Sequence, residues 1–558
     1  MKKFIAMMLC AAMVIGCLAA CGKSSDSTGD TKAAGNSASE SVAVDETAGG
    51  EKQLAVQVGP DPETIDPALN SAIDGAIMIL HSFETLLTVD EEGKIAPGQA
   101  ESYETSEDGL TWTFHLRDGL KWSDGTDLTA NDFVYSWKRV CDPELAAPYA
   151  ETVLGMVKGY EEATNGNLDA LAVSAPDDKT FVVELAKNCP YFASLAAFAT
   201  LSPVQQATVE ANGDAWAIDV STYVSNGAFY ITEWVPGSHI TMSKNPNYWN
   251  ADAIKLDSLK FVLMEDSNAA YSAYQTGQVL MIKDVPTEEI PSLQGREDFF
   301  VDPIIGTYYI SLNDTKEPFT NPLVRKALSL AIDREYVANT LMQGTYSPAY
   351  NFLGPGWVDT DGTSFFENAN GGKTYISEDF EANLEEAKAL LAEAGYPNGE
   401  GLPTLTYSTN DAGYHKPLAE YLQDAWKELG VTLDVEIVEW SSFTPMRRSG
   451  DFEIARNGWV GDYSDPSNQL ELLYSTNGNN DGKYNNPEFD AAIDLSRTTT
   501  DPEERSAALH KAEDILMEDA GCIPVAYYND FWLQSTKLTG SWHSAYGYWY
   551  FHYADIVE

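Results

Sequence analysis

The sequence predicts an α/β protein built from more than one domain, and three observations lead there. The chain has 558 residues, more than one hydrophobic core ordinarily accommodates, so two or three domains are expected. Apolar residues make up 44 %, with 29 Tyr and 13 Trp, enough for large cores and aromatic-lined clefts. Residues 404–437 read strand–helix–strand, the unit from which parallel sheets grow. No short-period repeat occurs, and no second long apolar segment follows the N-terminus.

The N-terminus reads as an address. Lys2 and Lys3 precede an uncharged apolar run, Phe4 to Leu18, too short for a membrane span and suited to a signal peptide. Leu18-Ala19-Ala20-Cys21, followed by Gly22, resembles the bacterial lipobox. That resemblance implies that residues 1–20 are a lipoprotein signal peptide and that Cys21 carries diacylglycerol. The plain alternative is a filler cysteine in an apolar run. Each buried CH₂ is worth about 0.8 kcal/mol, so two or more acyl chains hold a protein firmly to a membrane. Gly22 to Gly50 contains no aromatic residue, Leu or Ile and cannot offset chain entropy by burial. Residues 21–50 are therefore expected to be the lipidated Cys and a disordered tether, spanning roughly 30 Å on average.

From Gln53 the composition is globular. Thr111–Leu116 alternates polar and apolar side chains, the period of a half-buried strand, and Arg117-Asp118-Gly119 then turns. Trp122 to Thr126 is a second turn, and Thr129 caps a helix carrying Phe133, Val134 and Trp137. Asn321-Pro322 opens a helix with Val324, Ala327, Leu328 and Ala331 on one face. Phe380 to Ala394 is another helix, stopped by Gly395 with Pro397 beyond. Thr404–Ser408 is a strand, Lys416–Leu429 a helix closed by Gly430, and Val431, Leu433, Val435 and Ile437 alternate along a following strand.

Composition excludes several functions. The formal net charge is −51, so the chain repels phosphates and has no basic surface for nucleic acid. The acidity serves solubility, or long-range attraction of cationic ligands. Among the six cysteines there is no Cys-x-x-Cys, hence no zinc-site spacing; Cys141 and Cys189 are open either to a disulfide or to two small buried thiols. The seven His form no His-Glu-x-x-His and no pair sharing a helix face, so no metal is expected. There is no Gly-x-Ser-x-Gly, Ser-x-x-Lys, phosphate loop or Gly-x-Gly-x-x-Gly, so the expectation is no enzyme and no cofactor. A chance pair of cleft carboxylates, as a glycosidase uses, stays open among so many acidic residues.

Several long motifs carry a resemblance. Ala100 to Phe133 includes Asp-Gly-Leu-Thr-Trp-Thr-Phe-His-Leu-Arg-Asp-Gly-Leu-Lys-Trp-Ser-Asp-Gly-Thr; downstream come Asn245-Pro246-Asn247-Tyr248-Trp249, Asn321 to Arg334 and Glu386 to Tyr396. The order and content resemble the large solute-binding proteins of peptide-type ABC importers, bacterial extracellular family 5, over essentially Gln53 to Glu558. The resemblance implies a two-lobed, periplasmic-binding-protein-like clamshell (class II type) that closes about hinge strands. Lobe I is expected to combine 51–84, 213–312 and 530–558, with an inserted domain at 85–212, and lobe II to be 313–529. It also implies a monomer that hands its ligand to an ABC permease, lipid-anchored outside the cytoplasmic membrane of a Gram-positive bacterium. Members bind peptides, but also oligosaccharides and other small ligands, which leaves an oligosaccharide as the alternative cargo.

Within the family the likeness is to oligopeptide-binding proteins, where the guest lies extended between the lobes. Arg456-Asn457-Gly458-Trp459-Val460-Gly461-Asp462-Tyr463 matches their ligand-contacting stretch. By that match Asp462 receives the guest's α-ammonium, Gly458 and Val460 give backbone hydrogen bonds, and Arg456 and Arg447 stand where a carboxylate arrives. Trp459 walls the cleft, Tyr149 is an aromatic contact, and Ser71 and Ile73 mark a weaker backbone-contacting match. Ser71 replaces an acidic residue of relatives, and Val460 replaces one half of a disulfide.

The residue chemistry agrees. Main-chain pairing at a strand edge is indifferent to guest sequence, and Gly458 and Gly461 are expected to let another backbone approach. A desolvated ammonium needs a carboxylate, and Arg forks suit carboxylates. The plain alternatives are a turn residue for Asp462, structural ion pairs for Arg456 and Arg447, and a core aromatic for Trp459.

Overall fold

A computed structural model describes residues 51–91, 93–368, 375–410 and 414–557. The signal peptide, Cys21 and the tether expected at 1–50 lie outside the described residues.

Two hydrophobic cores organise the chain. One runs from Leu54 to Leu263 and takes Trp532, Trp549 and Phe551 from the C-terminal end. The other runs from Ile305 to Ala526 and takes Tyr546 from the C-terminal end. One sheet of 11 strands serves both. Its order is Leu433–Ile437, Leu405–Thr409, Ile454–Val460, Phe299–Leu312, Ile523–Gln534, Met281–Ile282, Gln53–Gln57, Ser258–Val262, His239–Lys244 and Phe229–Val235, with Ser347–Pro348 added beside Ile523–Gln534. Phe299–Leu312 and Ile523–Gln534 are the long strands that cross from one core to the other. They pair antiparallel from Phe299↔Leu533 to Ile310↔Ile523, with a register shift between Pro303 and Thr307 where the ladder passes between the lobes. A second shift follows between Tyr308 and Tyr309; bulges of this kind bend and twist strands.

Elements expected from periodicity form where their physics requires. Thr129 and Asp132 make a capping box at the start of Ala130–Val140, whose Trp137 meets Phe181 edge-on at 4.9 Å. The strand Thr111–Leu116 buries alternate residues within a four-stranded sheet, and the core under that sheet runs unbroken into the first lobe. Asn321 caps Pro322–Leu330 by accepting from the Leu323 N–H. Leu405–Thr409 and Leu433–Ile437 pair in parallel around the helix His415–Lys427. One detail departs from expectation. The Val431–Ile437 alternation fades, leaving Ile437 46 % exposed, because its strand is the last of the sheet.

Tyr248 and Trp249 of the Asn-Pro-Asn-Tyr-Trp motif both donate to half-buried Glu84, which also accepts from Gln99. Arg117 lies 3.6 Å over the Trp249 ring. That motif is thus a latch between segments rather than a ligand contact. Cys141, Cys189 and Cys522 are free, buried thiols, which settles the Cys141–Cys189 question in favour of two thiols. Among the described residues no helix is long and apolar enough to cross a membrane.

Candidate functional site

The site begins at a strand with one open edge. Ile454–Val460 pairs along its whole length with Phe299–Leu312, from Leu312↔Ile454 to Gly306↔Val460. On its other side Leu405–Thr409 reaches only Ile454 and Ala455. Backbone groups of successive residues point to opposite edges. The Trp459 carbonyl faces Gly306, where an added Cβ would stand 2.4 Å from it, and the Arg456 carbonyl faces the other way and accepts from Arg447 Nη1 at 3.2 Å. The Gly458 carbonyl and the Val460 main-chain groups therefore face the open edge, where an extended guest chain can pair, while the Gly458 N–H donates to Asn457 Oδ1 at 2.8 Å.

Beyond the strand end lies a cavity of about 200 Å³. Asn70, Ser71 and Ile73 line it from the first lobe, with Tyr149, Phe198 and Thr200 from the segment expected to be inserted. Val460, Gly461 and Asp462 close it from the second lobe, and Tyr546 and Tyr548 from the C-terminal region. The Tyr191 ring stacks on Tyr463 at 4.8 Å, joining the two sides beside the cavity.

The Asp462 carboxylate accepts from the Tyr149 hydroxyl at 3.2 Å and from the Asn468 amide at 3.3 Å. Asn468 Oδ1 in turn accepts from the Asp462 N–H at 3.2 Å and the Trp459 indole at 2.8 Å, so one amide fixes the carboxylate and the tryptophan together. Burial pushes the Asp462 carboxyl above its ordinary range, and the two neutral donors pull only partly against it. No cation of the described residues contributes. Burial also raises the Tyr149 phenol, as does the facing Asp462, so its hydroxyl stays a proton donor.

Of the residues expected from the sequence, Asp462, Val460, Tyr149 and Ile73 meet at the cavity, with Ser71 beside them. Trp459, Gly458, Arg456 and Arg447 stand outside its lining. Trp459 points to the opposite strand face from Val460 and donates its indole N–H to Asn468. The glycines also have a reason within the chain. A Cβ on Gly458 would fall 2.2 Å from the Tyr528 hydroxyl and one on Gly461 2.7 Å from the Trp357 ring, so the chain's own aromatics crowd both places. Arg447 makes an ion pair with buried Asp481 at 2.7 Å, so its charge is matched internally. Arg456 lies 5.3 Å from the Tyr308 ring centroid and 3.5 Å from the Tyr528 hydroxyl. Sequence reasoning missed Asn468, Phe198, Tyr546 and Tyr548. Asn468 follows Asp462 by six residues, but only the fold shows its amide turning back.

An open strand edge, a cavity between lobes and a carboxylate with neutral partners make a place for a guest. Residues 94–481 match the bacterial extracellular solute-binding proteins, family 5. The chain belongs to that family. It is thus an extracytoplasmic binding protein, not an enzyme. The solute-binding protein is similar to the oligopeptide-binding protein OppA of Bacillus subtilis, 35 % identical over 88 % of this chain and 90 % of that protein. Among solved structures it is similar to Haemophilus influenzae OppA in complex with RPPGFSPFR, at 32 % identity and a TM-score of 0.74, covering 91 % of this chain and 99 % of that one. It is likewise similar to the Escherichia coli murein tripeptide binding protein MppA, at 31 % identity and a TM-score of 0.74, covering 91 % and 99 %. Its lobes accordingly form the clamshell of this family.

Proposed function

We propose that this solute-binding protein captures short peptides with a free amino terminus and presents them to an ABC permease. The observation that carries the reading is Asp462, a half-buried carboxylate with two neutral hydrogen-bond donors and, among the described residues, no cation on it. A guest ammonium supplies the missing charge. Gly458 and Val460 pair with the guest's main chain, Tyr149 and Ile73 wall its first residue, and Arg456 receives a carboxylate. Arg447 and Trp459 support this arrangement from behind. The relatives named for oligopeptides favour the same cargo. A neutral oligosaccharide could stack on Tyr546 and Tyr548 but would leave Asp462 desolvated without a counter-charge.

The protein works as a monomer in this reading, diacylated on Cys21, with 21–50 as a leash to the membrane of a Gram-positive cell. Lobe I (51–84, 213–312, 530–558), the inserted domain (85–212) and lobe II (313–529) move about the crossing strands. Mass spectrometry of material released from the purified protein is expected to find peptides, and calorimetry to show that they outcompete xylo- and cello-oligosaccharides. Removing one partner of a desolvated charge pair typically costs about 2–5 kcal/mol, so Asp462→Ala and N-acetylation of the peptide should each weaken binding by about twenty-fivefold or more. Undiminished affinity in Asp462→Ala refutes the ammonium anchor.

A further inference from the structure

We propose that Tyr528 is a specificity-determining residue of this site: laid across a trough of two glycines beside the Arg456 guanidinium, its hydroxyl is a second donor for a guest's terminal carboxylate. The proposal rests on the peptide reading above and deepens it.

Side chains two residues apart share a strand face, so Arg456, Gly458 and Val460 look the same way. Their partners across the ladder are Ile310, Tyr308 and Gly306. Glycine thus occupies adjoining places on both strands. A Cβ on Gly458 would stand 2.2 Å from the Tyr528 hydroxyl oxygen, and one on Gly306 would stand 3.1 Å from Tyr528 Cδ2. Neither glycine has a left-handed backbone; at Gly458 the Tyr528 ring alone crowds a side chain, while at Gly306 the Trp459 carbonyl at 2.4 Å and Val460 Cα at 3.0 Å crowd it before the ring does. Tyr528 belongs to Ile523–Gln534, the next strand beyond Phe299–Leu312, so its ring reaches across one whole strand to arrive over Gly458. Tyr346 holds it edge-on at 5.5 Å.

The hydroxyl ends 3.5 Å from Arg456 Nη2, at the long limit of hydrogen bonding, so its geometry leaves it available to another group. Burial pushes the phenol up while the guanidiniums of Arg456 and Arg447 pull against it, and it stays protonated. His415, bonded to the Tyr308 hydroxyl at 3.0 Å, is lowered to about 3 by burial and Arg456 and is neutral. A carboxylate reaching Arg456 therefore meets a guanidinium and a phenol O–H side by side, two donors for its several lone pairs. Tyr528 is only partly buried, in keeping with a guest-facing role.

The test measures affinity of the full chain for di- to pentaalanine and for their C-terminal amides. A hydrogen bond to a charged group is worth about tenfold in affinity, so Tyr528→Phe should lose about that factor for the free acids and markedly less for the amides, whose neutral carbonyl is the weaker acceptor. Gly458→Ala, whose methyl must push the hydroxyl aside, should lower the acid-to-amide ratio likewise. Asp462→Ala should weaken acids and amides alike, because both keep the ammonium. An unchanged acid-to-amide ratio in Tyr528→Phe overturns the proposal, as does an equal loss for acids and amides, which would mark a purely structural role. Full binding by Asp462→Ala sinks the ammonium anchor and leaves the Tyr528 result readable. No binding of any probe by the wild type sinks both.

Discussion

Asp462 and Asp465 lie three residues apart in Gly-Asp-Tyr-Ser-Asp-Pro, yet the fold treats them oppositely. Asp465 accepts from both terminal nitrogens of Arg505, at 2.8 and 2.9 Å, and from the Ser467 N–H at 3.0 Å. Arg505 also bonds the Ser496 carbonyl, so the pair ties the loop to two helices. Asp462 has only a phenol and an amide. Asp465 is buried and Asp462 half-buried, and among the described residues one carries a cation and the other does not. A charge whose partner is built in holds structure. A charge whose partner is left out stores an interaction for something that arrives.

The largest expected effect breaks the first half of this contrast. Asp465→Ala leaves the Arg505 guanidinium, 4 % exposed in its side chain, without its counter-charge. Removing one member of a buried pair costs about 3–5 kcal/mol, so urea denaturation should show a loss of that size. A loss below about 1 kcal/mol would mean that the two aspartates do not differ in kind.

Asp462→Asn tests the other half, and its stability effect has the opposite sign. The folded, empty protein holds this carboxyl above its ordinary range, so it binds the proton at a pH where the unfolded chain has released it. Stability of the empty protein thus falls as pH rises from the unfolded value through the raised folded one, and stays flat above. The asparagine variant lacks that fall and should be as stable as wild type at neutral pH, or more so by about 1 kcal/mol, the usual scale of a relieved polar burial. Binding runs the other way. An ammonium favours the ionised carboxylate, so wild-type affinity should rise with pH across the same window, with proton release on binding at its acidic end. Calorimetry in buffers of different ionisation heat reads that proton directly.

What was legible in the sequence follows the range of the interactions. The Thr129 capping box, the Asn321-Pro322 helix start and the Thr111–Leu116 alternation are set by residues a few positions apart, and they stand as read. Asp462 and Val460 came from a motif, and Tyr149 from a separate one 313 residues away. The reasons for the glycines were not legible. Gly458 is needed by Tyr528, brought from a strand 70 residues on, and no local pattern reports a ring crossing a neighbouring strand. Arg447 was expected at the guest's carboxylate from the family match, and its ion pair was not legible. Asp481, its partner, sits in a polar loop whose side chains carry no periodic signal.

The smallest effect sharpens the comparison most finely. Tyr149→Phe removes one of the two side-chain donors to Asp462 while keeping the ring, which packs on Phe198 at 5.1 Å. A neutral donor favours the ionised carboxylate, so its loss should push the Asp462 carboxyl further up and carry the pH–affinity curve to higher pH. Near neutral pH the remaining loss should be about 1 kcal/mol, roughly fivefold, because the arriving ammonium supplies most of the compensation. The same change near Asp465 would be invisible behind Arg505. An unshifted pH curve in Tyr149→Phe would place the decisive interaction on Asn468 alone, with Tyr149 serving only as a wall.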